Sequence, residues 1–182
     1  MALSGTAYQN VSNGGAVWRL QIEWTATQNT TAKTSSVTAR LYWMSMDQYG
    51  AISASGTKTC GVRHNNGTYT TASATPGLTA NQKKLIQTYT FTITHNATTG
   101  AATFTLGAYF AINITLSGST VSQVTIANTT FTLDTINAAG KMWVNIDGVW
   151  HRGVVWVNVD GTWKQSTGVY TNVDGTWKKN SS

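Results

Sequence analysis

From Ala102 to Leu116 every even-numbered residue is apolar: Ala102, Phe104, Leu106, Ala108, Phe110, Ile112, Ile114 and Leu116. An α-helix would scatter that set around its circumference, whereas an extended strand places it on one face. The run is long for a single strand, so a bend or bulge is expected near Gly107. The same period of two recurs upstream. Trp18, Leu20, Ile22 and Trp24 alternate with Arg19, Gln21, Glu23 and Thr25, and Val37, Ala39, Leu41 and Trp43 alternate with Thr38, Arg40, Tyr42 and Met44. Tyr89, Phe91 and Ile93 alternate with threonines, and the pairs Val124 with Ile126 and Phe131 with Leu133 provide further short strands. Only Thr79 to Gln87 has a pattern that suits a turn or two of helix. With 33 Thr and eight Trp, the composition favours strands. The expectation is an all-β chain in which residues 1–140 form an antiparallel β-sandwich of seven or eight strands, immunoglobulin-like or jelly-roll, with the strand order open. Trp18, Trp24 and Trp43 fall on the apolar parity and are assigned to its core.

Residues 141–182 follow a different rule. Trp143-Val-Asn-Ile-Asp-Gly-Val-Trp150, Trp156-Val-Asn-Val-Asp-Gly-Thr-Trp163-Lys164 and Tyr170-Thr-Asn-Val-Asp-Gly-Thr-Trp177-Lys178 are three copies of one unit. Asp-Gly between β-formers is the preferred two-residue type I′ hairpin turn, so three short hairpins are expected, with Asn145 opposite Trp150. Such hairpins are too small to bury their own aromatics. The rings of Trp143, Trp150, Trp156, Trp163, Tyr170 and Trp177, with Lys164 and Lys178, are therefore candidates for stacking between repeats or subunits, or for packing on sugar rings. Subunit packing implies a homo-oligomer, with a trimer expected.

Charge and chemistry narrow the function. The net charge of +6 arises from only six acids against twelve bases, and the bases are dispersed. Nucleic-acid binding, which calls for clustered cations with interleaved aromatics, is not expected. No apolar run is long enough to cross a bilayer, and the first residues lack the features of a secretory leader, so neither a membrane partner nor secretion is expected. Cys60 is alone, so no intrachain disulfide forms. Glu23 and Asp47 do not form a glycosidase pair, and Asp147, Asp160 and Asp174 are explained by their turns. His64, His95 and His151 lack metal-ligand spacing. Cys60 near His64 is read as a loop cysteine beside a solvated histidine. No catalytic residue, metal or cofactor is assigned.

Several segments resemble a known family. Trp18-Arg-Leu-Gln-Ile-Glu-Trp24, the loop Gln28 to Val37, the His95-Asn96-Ala97 turn and Phe131-Thr-Leu-Asp-Thr-Ile136 resemble a domain of minor structural proteins from tailed phages of Gram-positive bacteria, over most of residues 5–137. The C-terminal copies resemble the Trp-x-Asn-Val-Asp-Gly-Thr-Trp-Lys repeats that end many phage tail and baseplate proteins. The family's Pro-Arg after its Leu-x-x-Ile ending is replaced here by Asn137-Ala138. The resemblance implies a non-enzymatic virion protein, on the tail or elsewhere on the particle surface, that aids host attachment. Its expected partners are other virion proteins and host cell-wall polysaccharide. The alternatives are a capsid decoration protein and a free carbohydrate-binding module.

Overall fold

The computed structural model describes residues 2–116, 118–136, 141–154, 156–165, 170–173 and 176–179; beyond residue 140, side chains are described at 147–149, 156 and 158–164. Among the described residues there is no helix. Strands β1 (Ser4–Asn13), β2 (Ala16–Asn29), β3 (Thr34–Ser45) and β6 (Lys83–Thr94) form one antiparallel sheet in the order β1-β2-β3-β6. The second sheet, in the order β10-β7-β4-β5, is built from β4 (Lys58–His64), β5 (Thr70–Ala74), β7 (Thr103–Phe110) and β10 (Val124–Thr132). A small hairpin of β8 (Ile114–Leu116) and β9 (Ser119–Val121) sits between β7 and β10 in the chain.

The alternating apolar residues point between the two sheets. Leu20, Ile22, Val37, Ala39, Leu41 and Trp43 from the first sheet, and Cys60, Val62, Leu106, Ala108 and Phe110 from the second, are fully buried. Aromatic rings join the layers edge to face: Trp24 meets Phe104 at 5.0 Å, and Trp43 meets Phe110 at 5.9 Å. Such geometry is favoured by the ring quadrupoles, over and above the area removed from water. The indole nitrogens of Trp18 and Trp43 donate to the carbonyls of Gly50 and Pro76, which ties loops to the core. Trp18, Trp24 and Trp43 therefore occupy the core positions that their parity predicts.

The two sheets hold eight strands, as expected, and the unforeseen addition is the β8–β9 hairpin outside both of them. Three local expectations are corrected. Residues 79–87 contain no helix: a short turn leads into β6, because cross-strand pairing with β3 outweighs the weak helical pattern. The long even-numbered run is interrupted at residues 111–113, where Asn113 takes φ of 43°. The bulge lies not at Gly107 but across from it, on β10 between Ile126 and Thr129. Finally, Cys60 is no loop residue: it is buried in β4, while His64 stacks on Phe91 at 4.4 Å and bonds the Tyr89 hydroxyl.

Burial pushes the Cys60 thiol above its ordinary range. The native state then keeps the proton at alkaline pH where the unfolded thiol loses it. Stability from this source is complete below the unfolded pKa and declines as pH rises through the folded one. The melting temperature is expected to fall along the alkaline limb, less steeply in Cys60→Ala. Iodoacetamide should label Cys60 slowly in the native protein and quickly in urea; rapid native labelling would contradict its burial.

Candidate functional site

The C-terminal units are hairpins in the expected register. β11 (Lys141–Ile146) pairs with β12 (Val149–Val154), β13 (Trp156–Val159) with β14 (Thr162–Gln165), and β15 (Tyr170–Val173) with β16 (Thr176–Lys179). Asn145 stands opposite Trp150, Asn158 opposite Trp163 and Asn172 opposite Trp177. The first two turns have the positive φ pair of type I′: 52° and 82° at Asp147 and Gly148, 52° and 81° at Asp160 and Gly161. Aspartate and glycine are what that backbone requires, which accounts for both acids without a ligand. The third Asp-Gly pair, at 174–175, lies outside the described residues.

In the second hairpin the pairing decides which side chains share a face. Opposed residues in an antiparallel pair project to one side, as do residues two apart. Trp156 and Gln165 are opposed, as are Asn158 and Trp163. The face carrying Trp156 and Trp163 thus also carries Asn158 by register. Trp156 is 54% exposed and Trp163 64%, so neither ring is buried by the hairpin that presents it. Lys164 is also exposed but is opposed to Val157, so it belongs to the other face. The side chains of Trp143, Trp150, Tyr170, Trp177 and Lys178 lie outside the described residues.

Glu23, Asp47 and His95 in the sandwich are committed to structure. Glu23 accepts from Lys83 at 2.6 Å and from Gln21 at 2.7 Å. The Asp47 carboxylate accepts the backbone N–H groups of Val17 and Tyr49, holding the β3–β4 connection. His95 is buried; its Nδ1 donates to the Gly100 carbonyl at 2.7 Å, and its Nε2 bonds the Ser35 hydroxyl at 2.7 Å. Among the described residues no three His, Cys, Asp or Glu side chains gather as a metal site would require. Two surface concavities, of about 380 and 480 Å³, are lined by Trp18, Tyr49 and Ile52 and by Thr27, Asn29 and Thr92 respectively, and neither is lined by a carboxylate, imidazole, thiol or amine. Compared with family models, with curated proteins and with solved structures, the chain finds no match in any of the three.

Among the described residues the three hairpins are separate two-stranded sheets that share no ladder with either sheet of the sandwich. Deleting residues 141–182 is therefore expected to leave a cooperative fold, since every strand of the two four-stranded sheets ends by Thr132. Circular dichroism and a thermal melt of residues 1–140 check this. A fragment without a cooperative transition would show that the hairpins complete the core.

Proposed function

We propose that this chain is a non-enzymatic structural protein of a phage particle, carried on the tail or elsewhere on the virion surface, and that its C-terminal hairpins aid attachment to the host surface. The observation that carries the reading is the pair of exposed indoles, Trp156 and Trp163, on one face of a unit the chain repeats three times. Isolated apolar residues at a surface are ordinary, but two large exposed rings on one face of so small a hairpin mark a surface meant to be covered. Indole faces pack on the C–H faces of sugar rings, while Asn158 on the same face is suited to bonding hydroxyls. The segments that resemble phage minor structural proteins and tail repeats point the same way.

The double variant Trp156→Ala with Trp163→Ala tests this. Each stacked ring contributes on the order of 1–3 kcal/mol, so losing both should weaken binding to purified host cell walls by well over tenfold. The sandwich melt should not change. Light scattering decides the competing use of the same rings: if the wild type is an oligomer and the variant a monomer, the indoles belong to a subunit interface and the adhesion reading fails. Labelled antibody against the chain, viewed on purified particles, tests the virion assignment itself.

A further inference from the structure

The outward face of the second sheet carries a constellation that neither the core nor the hairpins account for. On β4 and β7 large and absent side chains alternate across the ladder: Gly61 is paired with Tyr109, and Arg63 with Gly107. A Cβ at Gly61 would stand 2.7 Å from the Tyr109 ring, so the ring lies over the glycine. At Gly107 a Cβ would collide with the amide oxygen of Asn128, which the β10 bulge brings across from it. Asn128 accepts from Arg63 Nε at 3.2 Å and donates to Asn66 at 2.5 Å, while Asn66 is held at φ of 57° in the turn after β4. The Arg63 guanidinium lies over the Tyr69 ring at 4.5 Å, and Tyr69 meets Tyr109 edge to face at 4.9 Å.

Glycine inside a strand sacrifices packing and order, and it recurs where a ligand or another backbone approaches closely. Bulges likewise serve to re-aim side chains. Here two glycines and a bulge together fix an arginine, two tyrosines and two amides on a face that adds nothing to the core. Charge identifies the missing partner. No Asp or Glu occurs anywhere in residues 48–133, so β4, β5, β7 and β10 hold no acid at all. Among the described residues the ion pair found is Lys83 with Glu23, on the other sheet, which leaves Arg63 without a counter-charge.

We propose that this face binds an acidic saccharide, its carboxylate or phosphate on the terminal nitrogens of Arg63, its ring against Tyr69 and Tyr109, and its hydroxyls on Asn66 and Asn128. An arginine fork matches either anion, aromatic rings receive a sugar's C–H face, and fixed amides orient hydroxyls. Nucleic acid is the poorer fit, because the face offers one arginine rather than a cationic track. This site is independent of the virion reading and of the hairpin indoles.

Calorimetric titration of the full chain tests it with four probes: trigalacturonate, a phosphate monoester of galactotriose, neutral galactotriose and a short oligothymidylate. At least one of the two acidic probes should bind saturably and lose affinity with salt, and the tighter one identifies the anion. Galactotriose should bind about tenfold more weakly or worse. Arg63→Gln should cost about tenfold while the protein still melts cooperatively within a few degrees of the wild type. Gly107→Ala, which displaces Asn128, should weaken the same probe, and the Trp156→Ala/Trp163→Ala protein should bind it as the wild type does. In NMR spectra the amides of Gly61 and Gly107 should shift on addition of the probe. The proposal is overturned if neither acidic probe binds, if galactotriose binds equally well, if Arg63→Gln binds unchanged, or if oligothymidylate binds more tightly than either acidic probe.

Discussion

Replacing Trp43 by alanine should cost about 3–5 kcal/mol, a large share of the roughly 5–15 kcal/mol that holds a domain together. The indole is fully buried, packs edge to face on Phe110 at 5.9 Å, and donates to the Pro76 carbonyl at 3.0 Å. Truncation opens a cavity between the sheets and leaves that carbonyl without its partner. For a chain of this length, each kcal/mol moves the melting temperature by about 2–4 °C, so a drop on the order of 10 °C is expected. Trp43→Phe keeps most of the apolar volume and loses only the N–H, and should fall by a small fraction of that. A chemical denaturation series on the three proteins checks the ranking. Equal loss in both variants would make the hydrogen bond, not the packing, the dominant contribution.

Gly100→Ala is expected to be comparably damaging, although Gly100 has no side chain to lose. Its φ is +69°, and an added Cβ would overlap the backbone carbonyl of Ile136. Gly100 also accepts from the Ile136 N–H at 3.0 Å, so the two backbones are locked at close range. Relief requires the 133–136 segment to move away, withdrawing Leu133 and Ile136, both almost fully buried. Left-handed strain plus lost burial amounts to about 3–5 kcal/mol. Gly15→Ala, in the turn between β1 and β2, is the control. It has the same sign of φ, at 83°, but open space around it, and should cost about 1–2 kcal/mol. Hydrogen exchange at Leu133, whose N–H bonds Ala102, should accelerate in Gly100→Ala alone. If the two alanine variants are equally stable, conformational strain rather than the Ile136 collision governs this position.

What could be read in advance, and what could not, divides along the range of the interactions. The side-chain period of two is a property of the extended backbone itself, so the buried faces of β2, β3, β6 and β7 were legible from Trp18, Val37, Phe91 and Phe104 and their neighbours. The I′ turns were equally local, because positive φ at two successive residues selects Asp-Gly wherever the strands are placed. Pairing between distant strands is not local. That β3 lies beside β6 and β4 beside β7 depends on which arrangement buries all the apolar faces at once, and many orders satisfy the same alternation. The same global choice turned residues 83–87 into strand and drew Cys60 inside.

The two candidate surfaces fall on opposite sides of this division. The hairpin indoles announced themselves by repetition, yet only the register separated Lys164 from the face of Trp163. The Arg63 cluster left two traces in the chain, an acid-free stretch and glycines inside strand patterns at 61 and 107, but neither names a site alone. Arg63, Asn128 and Tyr109 are separated by tens of residues, and a ladder between β4 and β7 with a bulge in β10 brings them to one face. Backbone geometry wrote the strands and turns into the sequence residue by residue, whereas side chains meet across a sheet only after the whole core has selected its pairing.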